Sequence, residues 1–417
     1  MRKSDIKAKI QSGERLKVIF INDVGFQYGA GIAHLRQIQS FLLLGHDVMG
    51  LCWVRGPEST IPFIPNNARG HWAGMHQLPV IHPDSGYCEA DIIHSIVQKV
   101  IFFQPEIIIV GNLHGAKWPL ELLIILRELD SLVVVYMHDC YVISGRCAYP
   151  GNCRLYEVGC NEKCPTPDEY PPLTPNKIHN QWKLRREIFC GPKGVPIATN
   201  SRWLLEIVHR ALDNIHYADV VYLGLDDQLF SPIDRTLVRR LLGVPDDAFV
   251  ILSGSVNVLE PRKGGHIFKE VVEFLNKEDV VFLVFGEESL GLEGVRATGL
   301  LRDYRKMPLL FSAADLFLGM AREEAFGQTI CESSACGLPV VAFNVGGIPE
   351  IARNNINARL VNKISVSGLL DEINFFMRNP KEREAFGRAG RKIIESEFSL
   401  ERQGERWMKF LANVASL

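Results

Sequence analysis

Residues 316–350 read LFLGMAREEAFGQTICESSACGLPVVAFNVGGIPE. An apolar block at 316–320 is followed by a loop carrying Glu324, then by helical spacing over 326–336. A second apolar block at 339–344 ends in the pair Gly346-Gly347. Strand, helix, strand with continuously apolar strands is the pattern of a parallel sheet covered on both faces. The same alternation extends upstream through strands at 280–286 and 248–254, with helices at 264–276 and 308–314. It returns in the first half, with strands at 17–22, 46–53, 106–111 and 132–138 and helices at 32–44 and 121–129. Two α/β units result, joined by the turn-rich segment 222–232 (YLGLDDQLFSP). The tail, 380–417, is helical by pattern, with Phe386, Ala389, Ile393 and Phe398 on one side.

The whole chain has 417 residues, 47% hydrophobic and 23% charged, which is soluble globular composition enough for two to three domains. A formal net charge of -2 argues against a nucleic-acid partner, which usually needs a basic stripe. Residues 1–16 lack the apolar core of a secretory signal. The apolar runs 107–110 and 132–137 fall far short of the roughly 20 residues that span a bilayer. The expectation is a cytoplasmic protein, with peripheral contact at the inner face of the membrane as a further option.

Chemistry concentrates in the opening stretch. Glu324 falls in a loop at the carboxyl end of a strand, where open α/β sheets bind ligands. The helix beginning near Gly327 points its first amides the same way, a natural seat for a diphosphate, and Glu332 lies further along it. Most glutamates are solvated surface groups, and either one alone would be read so. The full set, Glu-x-Phe-Gly-x4-Glu from Glu324 to Glu332, then CGLPVV from Cys336 and GGIPE to Glu350, resembles the retaining glycosyltransferases of GT-B fold, family 4, the glycosyl transferases group 1.

That resemblance implies an α/β fold of two Rossmann-like doubly wound parallel-sheet domains facing a cleft. It implies an acceptor-binding domain at 1–222, a nucleotide-sugar domain at 223–395, and a C-terminal helix at 396–417 returning to the first. It implies a nucleotide diphospho-sugar donor and a glycan, lipid-linked or small-molecule acceptor. Residue by residue, Lys263 with Arg262 (from Pro261-Arg-Lys-Gly) matches the basic segment that neutralises the leaving diphosphate. Glu324 matches the residue holding sugar hydroxyls, and Glu332 the one on the ribose. Phe326, Gly327, Gln328 and Thr329 complete the donor loop. The family's usual Arg after the strand-ending glycine is replaced by Ser255. His138, ending a strand, matches the histidine that faces the donor sugar. Gly29 and Gly31 resemble the N-terminal glycine-rich loop, although an ordinary strand–helix turn reads equally well. No Asp-x-Asp motif stands at a strand end, which agrees with a mechanism needing no catalytic divalent cation.

One segment breaks the pattern. Residues 140–175 are rich in Cys, Pro, Gly and Tyr and lack helical or strand periodicity. Cys147, Cys153, Cys160 and Cys164 offer four thiols within a short loop, which in a reducing compartment suits a structural Zn²⁺ better than two disulfides, with free thiols as the third reading. The segment resembles a subgroup associated with bacterial surface polysaccharide synthesis. Rival functions are a GT-B epimerase or phosphorylase, a non-catalytic nucleotide-sugar-binding protein, and a zinc-ribbon nucleic-acid module. The last is disfavoured because the loop carries Arg154 and Lys163 against Glu157, Glu162, Asp168 and Glu169.

Overall fold

A computed structural model describes residues 3–56, 64–79, 86–275 and 279–417, divided between two compact units. The first is the chain up to Gly224 together with Leu400–Leu417, and the second is Leu225–Ser399.

In the first unit seven strands form one sheet: β1 (Lys17–Ile21), β2 (Asp47–Cys52), β3 (Trp72–Gln77), β4 (Ile107–Val110), β5 (Leu132–Met137), β6 (Ile197–Thr199) and β7 (Ala218–Val220). Their order is β3-β2-β1-β4-β5-β6-β7, and every pairing is parallel. The apolar blocks read as strands are the central ones: β4 and β5 are buried throughout. The order reverses between β1 and β4, so the loops after these strands diverge and leave a crevice at their carboxyl ends. The helix Leu400–Val414 covers this unit, with the Trp407 ring 5.9 Å from Phe41 and 5.5 Å from Tyr136. A helix at Lys3–Ser12 was not foreseen, because its sequence is mostly polar; it seats Ile6 in the core, and Lys9 pairs with Glu106 at 2.6 Å.

In the second unit the strands are β8 (Phe249–Gly254), β9 (Val280–Phe285), β10 (Val295–Ala297), β11 (Leu316–Gly319), β12 (Val340–Phe343) and β13 (Ala358–Val361). They run β10-β9-β8-β11-β12-β13, all parallel, and the reversal lies between β8 and β11. The expected helix at 264–276 runs Gly265–Leu275, and Asn276 lies outside the described residues. Buried Asp315, just before β11, pins the sheet's lower edge. It accepts hydrogen bonds from Arg235 and Arg239, both at 2.7 Å, and from the Val250 amide at 2.9 Å. The unit's two ends meet, since the Leu225 amide donates to the Phe398 carbonyl at 2.9 Å and Leu225 bridges Ser399.

The cysteine loop corrects the zinc expectation. Among the described residues no group of three or more His, Cys, Asp or Glu is placed to hold a metal ion, and Cys147, Cys153, Cys160 and Cys164 are free cysteines. Burial pushes the Cys147 thiol up to about 12 and the Cys160 thiol up to about 11, which favours the protonated forms. The loop is held instead by hydrogen bonds to its own backbone. Buried Arg146 donates to the carbonyls of Thr166, Glu169 and Pro171. Arg185 donates to the Tyr141 carbonyl at 2.9 Å, and Trp182 to that of Tyr156 at 3.1 Å. A guanidinium with five donors in a fixed fork can satisfy several loop carbonyls at once, which is what a segment without ladders needs.

Candidate functional site

Two loops leave the carboxyl ends of β8 and β11, the strands on either side of the second unit's reversal. The first forms the 3-10 turn Pro261–Lys263, and the second carries Glu324. They are stitched together through the backbone: the Arg322 amide donates to the Arg262 carbonyl at 2.8 Å, and Arg262 Nη1 donates to the Glu323 carbonyl at 3.2 Å. Side chains then meet across the seam. Lys263 Nζ lies 2.6 Å from Glu324 Oε2, and Arg262 Nη1 lies 4.0 Å from the same oxygen. Burial alone would push the Glu324 carboxyl up, but Lys263 and then Arg262 outweigh it and hold the group below the usual carboxylate range.

The Gly346-Gly347 pair fixes the backbone behind this carboxylate. The Gly347 amide donates to the Glu324 carbonyl at 2.9 Å. Gly346 has φ +58, and a Cβ there would lie 1.9 Å from that carbonyl oxygen. Only glycine fits, so the motif read after the second strand serves to clamp the residue read before the helix.

The helix Gln328–Ala335 follows Gly327, whose φ is +95. The Ile330 and Cys331 amides turn back to the Gly327 carbonyl at 3.0 and 3.1 Å, and the amide end of the helix favours negative charge near it. Phe326 is core, its ring 6.0 Å from Phe398, and Glu332 is buried within the helix. Ser255, standing where the resemblance leads one to expect Arg, has a buried hydroxyl with no hydrogen-bond partner among the described residues.

The remaining named residues belong to the first unit. His138 follows β5, is 92% buried by its 8% exposure, and stands edge-on to Tyr136 at 5.1 Å. Burial, and then the neighbouring His114, lower its pKa to about 3, so the imidazole is neutral. Gly29 and Gly31 do not form a loop ahead of the helix; they lie in the first turn of Tyr28–Leu44. Gly31 sits against the Gly25 carbonyl, 1.8 Å from where its Cβ would be, so close packing accounts for it.

Sequence reasoning passed over one further cluster. After β1 come Asn22 and Asp23, after β4 come Asn112 and His114, and after β5 Asp139 and Tyr141, all at the first unit's reversal point. The signal was available: polar residues placed just after three strands whose interiors are buried.

Residues 234–393 match the family model described as glycosyl transferases group 1. This stretch is similar to a group 1 glycosyltransferase domain. It contains Arg262, Lys263, Glu324 and the Gly346 clamp. The D-inositol 3-phosphate glycosyltransferase of Segniliparus rotundus is 33% identical over 190 residues, 41% of this chain and 42% of that protein. The protein of the same name from Mycobacterium tuberculosis (strain ATCC 25177 / H37Ra) is 32% identical over 175 residues, 38% of this chain and 36% of its own. The chain thus matches about two fifths of the length of these curated relatives. Among solved structures, sucrose-phosphate synthase from Thermosynechococcus elongatus superposes with a TM-score of 0.72 at 15% identity, covering 96% of this chain and 100% of that one. Anabaena HepE, solved in complex with UDP-glucose, gives 0.69 at 18% identity, covering 97% and 100%. Two parallel-sheet Rossmann-like units in this company are a GT-B fold. Among the described residues no helix is long and apolar enough to cross a membrane.

Proposed function

We propose that the protein transfers a sugar from a nucleotide diphospho-sugar to an acceptor hydroxyl with retention at the anomeric carbon, as a family 4 enzyme. The observation that carries this reading is the Lys263–Glu324 pair, with Arg262 beside it, at the β8/β11 reversal of a group 1 domain. Two cations and the amides of Gln328–Ala335 suit a diphosphate, whose charge grows as its bond to the sugar breaks. Without donor, Glu324 neutralises Lys263. With donor, the diphosphate competes for the lysine, and the carboxylate turns its free lone pairs to sugar hydroxyls.

Glu324 is a poor nucleophile here because its oxygen is held 2.6 Å from an ammonium. Retention then follows from same-face attack: the acceptor oxygen bonds to the anomeric carbon as the carbon–phosphate oxygen bond breaks, and the leaving phosphate takes the proton. Glu332 is assigned to the ribose, Phe326, Gly327, Gln328 and Thr329 to the donor loop, and neutral His138 to orienting the donor sugar. UDP-glucose is the donor to try first, since HepE was solved with it. The test is product analysis: a glycoside of unchanged anomeric configuration plus free nucleoside diphosphate supports the assignment. An inverted product would refute retention, and a product pair without glycoside would refute transfer.

A further inference from the structure

The first unit carries a built polar site that none of the donor assignments uses. Asp23 and Asp139 stand at the ends of β1 and β5, on either side of the sheet's reversal. Each carboxylate is fixed by neighbours that occupy only part of its capacity. Asp23 accepts from the Val24 amide at 2.8 Å and the Gly115 amide at 2.7 Å. Asp139 accepts from the Tyr141 amide at 2.9 Å and from Asn112 Nδ2 at 3.2 Å. An ionised carboxylate offers about four lone-pair positions, so each retains acceptor capacity.

His114 lies with the pair, its Nε2 3.7 Å from Asp139 Oδ2 and its side chain only 5% exposed. Its Nδ1 is buried with no hydrogen-bond partner among the described residues. Buried polar atoms left open in a folded protein call for an explanation, and a ligand is one. Aromatic rings wall the same spot. The His114 ring centroid is 4.5 Å from Tyr141 and 5.5 Å from Tyr170. A Cβ at Gly115 would lie 2.7 Å from Asp23 Oδ2 and 3.3 Å from the Tyr170 hydroxyl, so both groups reach one place. Yet Tyr170 is 64% exposed, which leaves its ring available as a platform.

We infer that this cluster is the acceptor subsite and that the acceptor it takes is an uncharged sugar ring rather than a phosphorylated polyol. The inference rests on the transferase reading above. Carboxylates that accept from hydroxyls, beside tyrosine rings that cover the apolar face of a pyranose, are the chemistry of a neutral carbohydrate. A phosphate in the same place would face two carboxylates. Two guanidinia approach the rings and both are committed: Arg185, 4.6 Å over Tyr141, donates to the Tyr141 and Gln181 carbonyls, and Arg146 to those of Glu169 and Pro171 on either side of Tyr170. The curated relatives are named for an inositol phosphate, so the two classes of acceptor separate sharply here.

The experiment is saturation-transfer NMR on the full chain with methyl α-glucoside, maltose, glucosamine, glucose 6-phosphate and inositol 1-phosphate. It is run on the wild type, Asp139→Asn and Tyr170→Ala. The expected result is binding of the neutral sugars, at least about tenfold weaker binding of their phosphates, and loss of neutral-sugar binding in both variants. Tyr170→Ala changes an exposed side chain and so keeps the test valid where Asp139→Asn fails to fold. Four results overturn the inference: phosphates binding as well as the parent sugars, glucosamine binding tenfold better than methyl glucoside, binding indifferent to Tyr170→Ala, or no sugar bound. A parallel titration with UDP and Lys263→Ala reports the donor reading separately. UDP bound through Lys263 with no sugar bound sinks the acceptor assignment alone.

Discussion

Acidification from pH 7 to pH 5 should weaken the first unit far more than its surface charges would suggest, because it buries neutral histidines. His34 is 1% exposed, edge-on to Phe20 at 5.5 Å, and its Nε2 has no hydrogen-bond partner among the described residues. Burial, and then His138, lower its pKa to about 3 from the ordinary 6.5. Burial lowers His138 likewise to about 3 and His46 to about 4. The sign follows from which state takes the proton. The folded pKa is depressed, so the unfolded chain binds protons that the native one refuses, and stability is full above 6.5 and falls as pH drops toward 3. At 1.36 kcal/mol per unit, each group costs about 2 kcal/mol between pH 7 and pH 5, and the three together about 6, a large share of a typical 5–15 kcal/mol.

The assay has an intrinsic label. All six tryptophans (Trp53, Trp72, Trp118, Trp182, Trp203 and Trp407) lie in the first unit, so their fluorescence follows its urea unfolding and no other. His34→Phe removes one titrating group and keeps an aromatic ring against Phe20. Its loss of stability between the two pH values should be smaller than the wild type's by about 2 kcal/mol. An equal loss in variant and wild type would refute the reasoning.

Other outcomes follow from the second unit. Lys263→Ala should lower turnover on the active donor by about a hundredfold or more, while the unfolding transition seen by circular dichroism moves little; near-normal turnover refutes the phosphate assignment. Asp315→Ala leaves Arg239 buried without its carboxylate and should cost about 3–5 kcal/mol. That cost should show in circular dichroism while tryptophan fluorescence stays in place, and a shift of the fluorescence transition alone would contradict it. Gly346→Ala forces a Cβ against the Glu324 carbonyl at φ +58 and should cost about 1–3 kcal/mol along with donor binding, read by calorimetry. Trp407→Ala should destabilise the first unit by about 3–5 kcal/mol, measured by circular dichroism because a reporter is lost.

The central strands β1, β2, β4, β5, β8, β9, β11 and β12 were legible as apolar runs because both their faces are covered. The strands not read from sequence are β3, β7, β10 and β13, which are the sheet edges, and the three-residue β6. β7 and β10 have three residues each and β13 four, β3, β7 and β10 are partly exposed, and Trp72–Gln77 or Ala218–Val220 carries no periodicity to detect. In the site, Glu324, Lys263 and Arg262 were visible through a linear motif, whereas their contact depends on two loops 61 residues apart. Asp23, His114 and Asp139 come from three separate loops, and single polar residues after strands are common enough to pass unnoticed. The cysteines misled for the opposite reason: their spacing is conspicuous, but the residues that organise the loop are Arg146 and Arg185, one of them on a later helix.

The adjacency of Leu225 and Ser399 has a consequence for synthesis. The second unit is complete once Ser399 has left the ribosome, and its ends already pair. The first unit, begun earlier, still lacks the segment that places Trp407 over Phe41 and Tyr136. The half made first therefore finishes folding last, holding an uncovered apolar face while its neighbour matures. A released chain that ends at Ser399 would therefore carry a finished second unit beside a first unit whose apolar face at Phe41 and Tyr136 is uncovered.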